Sequence, residues 1–140
     1  MKICIATSTR ADWGLLSPLA AELRRRPGVE LQILATNMHL MPEYGMTVDE
    51  IERQGFVVSA RVPMPLEGQG EAARVRAMAE CMDGTAQALR RLSPDMLVVL
   101  GDRYEMLAIA SAATVMTIPI AHIAGGEVSE GAIDDNIRHA

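Results

Sequence analysis

The chain has 140 residues, 49% hydrophobic, 22% charged and 3% aromatic, with 13 Lys and Arg against 18 Asp and Glu for a formal net charge of -5. That is enough apolar side chain for one domain with its own core, which excludes intrinsic disorder. Two cysteines exclude a disulfide scaffold, and the acidic balance argues against a nucleic-acid partner. No apolar run approaches the roughly 20 residues that span a bilayer, and Met1-Lys2-Ile3-Cys4-Ile5-Ala6 is too short an apolar opening for a signal peptide. The expectation is a cytoplasmic domain with no membrane attachment.

Ile3 to Ala6 is expected as a first strand. Trp13, Leu16, Leu19 and Leu23 follow at helical spacing. Leu31 to Ala35 is the second strand, Thr47 to Gln54 a short helix and Phe56 to Val58 a third strand. Val75, Met78, Met82, Ala86 and Leu89 mark a second long helix. Met96 to Leu100 is apolar without alternation, as in a parallel strand covered on both faces. Tyr104 to Met116 is a nearly all-apolar helix, to be buried against the sheet or at an interface, and Ile118 to Ile123 is the fifth strand. A last helix is expected from Asp134. Only about two turns of it fit before Ala140, so the chain is read as the N-terminal part of something longer. Strand-helix alternation implies right-handed βαβ units and an α/β fold. The expected form is a Rossmann-like open parallel sheet with helices on both faces and strand order 3-2-1-4-5.

Such sheets bind ligands outside the carboxyl ends of their strands, so those loops hold the candidate residues. Arg10, in the turn after the first strand, is placed to grip a phosphate through paired hydrogen bonds or else is solvated there. Asp102 ends the fourth strand behind Gly101 and reads either as a general base or as the cap of the next helix. Glu127 follows two glycines that let backbone approach a ligand. Asp134 and Asp135 add two more carboxylates, with helix capping as their structural alternative. Acidic groups converging on one edge suit proton abstraction or water activation. No D-x-D or H-x-x-E spacing supports a metal, and none is expected. Gly68-Gln69-Gly70-Glu71-Ala72-Ala73 has G-x-G-x-x-A spacing but follows the third strand instead of the first. It reads as a loop opening a helix, with no NAD site and no cofactor. Walker A spacing is absent. Cys4 and Cys81 read as core residues, and Arg24-Arg25-Arg26 as a solvated helix end.

Four segments carry a more specific signal. Thr7-Ser8-Thr9-Arg10-Ala11-Asp12-Trp13-Gly14, Met38-His39-Leu40-Met41-Pro42-Glu43-Tyr44-Gly45, Gly101-Asp102-Arg103-Tyr104-Glu105, and His122 to Val128 with Asp134-Asp135-Asn136-Ile137-Arg138-His139 together resemble the hydrolysing UDP-N-acetylglucosamine 2-epimerases. The resemblance spans the whole chain. It implies one half of a GT-B fold, in which two Rossmann-like domains face each other across a cleft. Residues 1–140 would be the N-terminal domain, without the C-terminal domain that holds most of the UDP. The implied reaction converts UDP-N-acetylglucosamine and water to N-acetylmannosamine and UDP through a 2-acetamidoglucal, as a supply for sialic-type acid synthesis. Carried over residue by residue, Asp102 and Glu127 are acid/base candidates and Asp134 or Asp135 assists hydration. Arg10, His39, Arg103, His122 and Arg138 are implied substrate contacts.

Non-hydrolysing relatives show H-x-E-A-G-L at the end of the fifth strand. Here the segment is His122-Ile123-Ala124-Gly125-Gly126-Glu127, the glutamate displaced by three residues, which implies the hydrolysing branch. The partner expected is a UDP-sugar, with a homo-oligomeric parent enzyme. Close alternatives are the same chemistry on UDP-N,N'-diacetylbacillosamine, a non-catalytic flavodoxin-like binding module, or a GT-B glycosyltransferase.

Overall fold

The computed structural model describes residues 1–126 and 134–140. In chain order these form β1 (Lys2–Thr7), α1 (Arg10–Arg25), β2 (Glu30–Thr36), two 3-10 turns (Asn37–Leu40 and Pro42–Tyr44), α2 (Val48–Arg53), β3 (Ala60–Val62), α3 (Glu71–Leu92), β4 (Met96–Leu100), α4 (Tyr104–Val115), β5 (Ile120–Ile123) and α5 (Asp134–His139). All strand pairs are parallel, in the order β3-β2-β1-β4-β5, as the alternation implied. β1 is flanked on both sides, by β2 in register Lys2↔Glu30 to Thr7↔Ala35 and by β4 in register Ile3↔Met96 to Ile5↔Val98.

Alternate side chains of a strand point to opposite faces, and β1 divides its residues accordingly. Ile3 and Ile5 join Ile33 and Val98 under Trp13, Leu16 and Ala20 of α1 and Ile51 of α2. Cys4 and Ala6 join Leu34, Leu97 and Val99 under Ala77, Cys81 and Leu89 of α3 and Met106 and Ile109 of α4. Helices thus cover both faces. The two cysteines are unpaired core residues, and burial pushes the Cys4 thiol up to about 12. α4 buries Met106, Ala108, Ile109, Ala112 and Ala113, whereas Val115 at its end stands exposed. No helix among the described residues is long and apolar enough to cross a membrane.

Thr9 caps α1 in a reciprocal box: its side chain accepts from the Asp12 N–H, and the Asp12 carboxylate accepts from the Thr9 N–H at 3.1 Å. Arg10 is therefore the first residue of a helix and not part of a loop. Pro18 lies inside α1 without a donor for the Gly14 carbonyl, to which the Ser17 hydroxyl donates at 3.4 Å.

The third strand lies at Ala60–Val62, displaced from the Phe56 to Val58 run. Phe56 meets Trp13 edge to face, with ring centroids 5.2 Å apart, and carries the Arg24 guanidinium 4.4 Å above its ring. These contacts commit Phe56 to the helical layer. Pairing with β2 begins only where the Ser59 N–H donates to the Ile33 carbonyl at 2.8 Å. Arg24 is correspondingly docked and not simply solvated, since it also donates to the Gly55 carbonyl at 2.9 Å. β5 begins at Ile120, shorter than the apolar run.

At Gly84, α3 lies tight against β3: a Cβ there would stand 2.8 Å from Cγ1 of Val62, a buried side chain. Alanine in a helix interior gains up to about 1 kcal/mol over glycine, while overpacking costs about 1–3 kcal/mol. Gly84→Ala should thus lower the urea-unfolding free energy by about 1 kcal/mol. In a Val62→Ala background the same change should be neutral or stabilising.

Candidate active site

The carboxyl ends of β1, β2, β4 and β5 present the loops that the sequence singled out. β4 ends at Leu100, and the N–H of Gly101 donates to the Ile123 carbonyl at 2.9 Å, which carries the pairing with β5 one residue further. Asp102 comes next. It does not cap α4, whose N-cap residue is Arg103 with no side-chain cap bond. Its Oδ2 instead accepts from Nη2 of Arg138 on α5, an ion pair between side chains only 22% and 12% exposed. Nε2 of His122 lies 2.7 Å from the Gly101 carbonyl, and since a carbonyl only accepts, Nε2 carries the proton. The other side of this ring presses on Gly125, where any Cβ would stand 2.4 Å from Nδ1. Glycine at 125 is therefore a condition for the His122 position.

Asp102, His122 and Arg138 are thus gathered around Gly101. The last two border a cavity of about 360 Å³ with Gly101, Met106, Ser111 and Ile137. Asp134 opens α5 and is exposed, one turn before Arg138; Asp135 follows it in the same helix. Glu127 lies outside the described residues. Arg10 lies elsewhere along the edge, its side chain 75% exposed and its Nε 3.4 Å from Glu50 of α2. It borders a second depression, of about 500 Å³, with Met38, Tyr44 and Thr47. Arg103 is half-exposed and its Nε donates to Glu105 at 2.6 Å. Burial works against its charge, but the Glu105 carboxylate more than offsets this and raises the Arg103 pKa above its ordinary value.

His39 departs from the role implied for it as a substrate contact. Its side chain is fully buried. Nε2 lies 2.9 Å from the Thr7 hydroxyl and Nδ1 lies 2.7 Å from the Thr47 hydroxyl, so both nitrogens are already engaged. The Thr7 hydroxyl gives its one proton to Asp12 and accepts from Nε2, which makes His39 the link between the ends of β1 and β2 and the start of α2. Asp12 is the hub of this network and was not singled out by sequence, although Thr9-x-x-Asp12 has the spacing of a capping box. It accepts from the Ser8 hydroxyl at 2.8 Å and the Ser8 N–H at 3.0 Å, with the His39 ring 3.9 Å away. Burial alone would raise its pKa; the His39 ring and the bonds from Thr7 and Ser8 outweigh this and hold it below the usual carboxylate range.

A carboxyl that titrates lower when folded than when unfolded adds stability above its unfolded pKa, about 4. That stability fades as the pH falls toward the lowered folded value. Asp12→Asn should therefore cost about 2 kcal/mol at pH 7. The gap to the unaltered chain should narrow as the pH drops below about 4, read from urea midpoints across a pH series.

The sequence profile described as UDP-N-acetylglucosamine 2-epimerase matches residues 21–140. Over 99% of its length the chain is 44% identical to the GDP/UDP-N,N'-diacetylbacillosamine 2-epimerase (hydrolyzing) of Campylobacter jejuni. It is 37% identical to the UDP-N,N'-diacetylbacillosamine 2-epimerase (hydrolyzing) of Legionella pneumophila, and 37% identical to the UDP-N-acetylglucosamine 2-epimerase of Neisseria meningitidis. It spans 36%, 37% and 35% of these three proteins. In fold it resembles the Neisseria meningitidis UDP-GlcNAc 2-epimerase bound to UDP-GlcNAc, with a TM-score of 0.82 at 18% identity over 99% of this chain and 36% of that one. The UDP-GlcNAc 2-epimerase of Methanocaldococcus jannaschii gives 0.78 at 24% identity, over 99% and 35%. The matched profile covers most of the chain, including β4 with the Gly101–Asp102 turn and the His122 and Arg138 that gather around it, and the chain belongs to the UDP-N-acetylglucosamine 2-epimerase family.

Proposed function

We propose that the polypeptide carrying this chain is a hydrolysing 2-epimerase of a UDP-2-acetamido sugar. The observation that carries the reading is the carboxylate of Asp102, held by Arg138 beside His122 at the carboxyl end of β4. Parallel open sheets take their ligands at that position. In the proposed reaction a base removes the C2 proton as the C1–O bond to UDP breaks, which leaves a 2-acetamidoglucal. Water then adds its hydroxyl at C1 and a proton at C2 from the opposite face, giving the 2-epimer and UDP. Asp102 and Glu127 are the proposed acid/base residues, with Asp134 or Asp135 assisting hydration. Ion pairing to Arg138 fixes the Asp102 carboxylate in place, which general acid/base catalysis requires. Arg10 and Arg103 are the proposed cations for the leaving diphosphate, bidentate guanidinium contacts being suited to it.

The division of labour is part of the same proposal. Residues 1–140 supply the Rossmann-like N-terminal half of a GT-B cleft, and a further domain supplies the uridine site. The span of 35–37% of the curated relatives supports this. A homo-oligomer acting in the cytoplasm completes the reading. The exposed Val75 and Met82 of α3 and Val115 of α4 offer apolar surface for assembly. UDP-N-acetylglucosamine is the first substrate proposed, giving N-acetylmannosamine. The 44% identity to the Campylobacter jejuni enzyme favours the diacetylbacillosamine nucleotide as a second reading.

Proton NMR of each UDP-sugar incubated in D2O with the whole polypeptide tests the proposal. UDP release with deuterium at C2 of the epimerised sugar is expected, and the kcat/KM ratio for the two nucleotides selects the substrate. Asp102→Asn should lower kcat by about 10²- to 10⁴-fold with KM changed only a few-fold. Inertness toward both nucleotides would overturn the reading.

A further inference from the structure

Glu105, in the first turn of α4, is a carboxylate with no exposed surface. Its Oε1 accepts from Nε of Arg103 at 2.6 Å and from Nδ2 of Asn37 at 3.1 Å, while Oε2 is buried without a hydrogen-bond partner among the described residues. A half-satisfied buried carboxylate is costly, and glutamine, which keeps the oxygen that accepts from Asn37 and Arg103 but carries no charge, would be as stable or more so. A negative charge at a helix start gains from the helix dipole, but that benefit needs no burial. Asn37 adds to the cost, because it takes a left-handed φ of 51° at the end of β2 to reach this carboxylate. Both unfavourable features serve one outcome. The Arg103 guanidinium is anchored through Nε alone, its side chain 40% exposed, and its two terminal nitrogens have no partner among the described residues.

We propose that Glu105, braced by Asn37, is a positioning residue. It orients Arg103 at the carboxyl edge of the sheet so that the terminal fork of the guanidinium binds a diphosphate. The inference rests on the proposed UDP-sugar reading, and it assigns to Glu105 a role beyond the fold. Because Arg103 would bind the diphosphate in substrate and transition state alike, loss of its orientation weakens binding more than turnover.

In the whole polypeptide, Glu105→Gln retains shape and an acceptor for Arg103 but removes the charge. It should raise the KM for the UDP-sugar about tenfold with kcat within about threefold, and weaken inorganic pyrophosphate binding about tenfold by titration calorimetry. The thermal midpoint should stay equal or rise. In an Arg103→Ala background the same substitution should have no further effect on KM or on pyrophosphate affinity, because Glu105 acts through Arg103. An unchanged KM and pyrophosphate affinity in folded Glu105→Gln, or an undiminished effect in the Arg103→Ala background, would overturn the proposal. Should Glu105→Gln fail to fold, Glu105→Asp keeps the charge and displaces it, and the same KM rise with constant kcat is required of it. If the unaltered polypeptide turns over neither UDP-sugar yet loses pyrophosphate affinity on Glu105→Gln, the epimerase reading falls and the positioning role stands. If it does not bind pyrophosphate at all, the positioning role falls.

Discussion

The pairing of β1 with β4 is the contact on which the site depends. From β1 the chain winds outward through β2 and β3, and it returns through α3 to lay β4 on the other side of β1. The connections that leave the carboxyl ends of these two neighbours run to opposite faces, so a crevice opens between them. Register then decides what lines it: with Ile5 opposite Val98, the turn at Thr7-Ser8-Thr9 stands near the turn at Gly101-Asp102-Arg103. Neither turn holds that position by propensity alone, since both rest on strands buried on both faces.

Two buried carboxylates fasten this edge, and they differ in how completely they are satisfied. Asp12 collects donors from Thr7, Ser8 and Thr9 and stands beside His39, an arrangement that rigidifies the β1 end and ties it to the 3-10 turn after β2. The His39 N–H adds a backbone bond to the Ser8 carbonyl at 3.2 Å. Glu105 instead directs one oxygen at two donors, and its other oxygen has no partner among the described residues. The first pattern is that of a scaffold, in which every group is satisfied internally. The second holds a neighbouring cation by Nε alone, its terminal donors without a partner among the described residues.

Asp102 and His122 belong to a different layer of organisation. Their partners lie in backbone and in α5: the Gly101 carbonyl for His122 and the Arg138 guanidinium for Asp102. The capping alternative for Asp102 is not realised, because its carboxylate pairs with Arg138 of α5 and the N-cap residue of α4 is Arg103. The small residue at 125 is equally part of the arrangement, since the imidazole occupies the space a Cβ would need.

Hydrophobic spacing and turn residues were legible in the sequence, because helical and strand periodicities are local properties of ten or so residues. Together with the handedness of βαβ connections they determined the fold class, the strand order and the loops to inspect, among them the turn at Asp102. The third strand escaped this reading. Phe56 and Val58 look like strand residues until Trp13 and Arg24, distant in sequence, claim Phe56 for the helical layer. Which polar groups meet was decided only by tertiary structure. Asp102 and Arg138 are 36 positions apart, His39 and Thr7 are 32 apart, and Glu105 and Asn37 are 68 apart. No local pattern records such pairings; strand register and helix docking create them. The same reason separates His39, marked by its motif but enclosed in the scaffold, from Glu105, which in sequence is only an acidic residue in the first turn of a helix and in the fold is a buried charge beneath the candidate site.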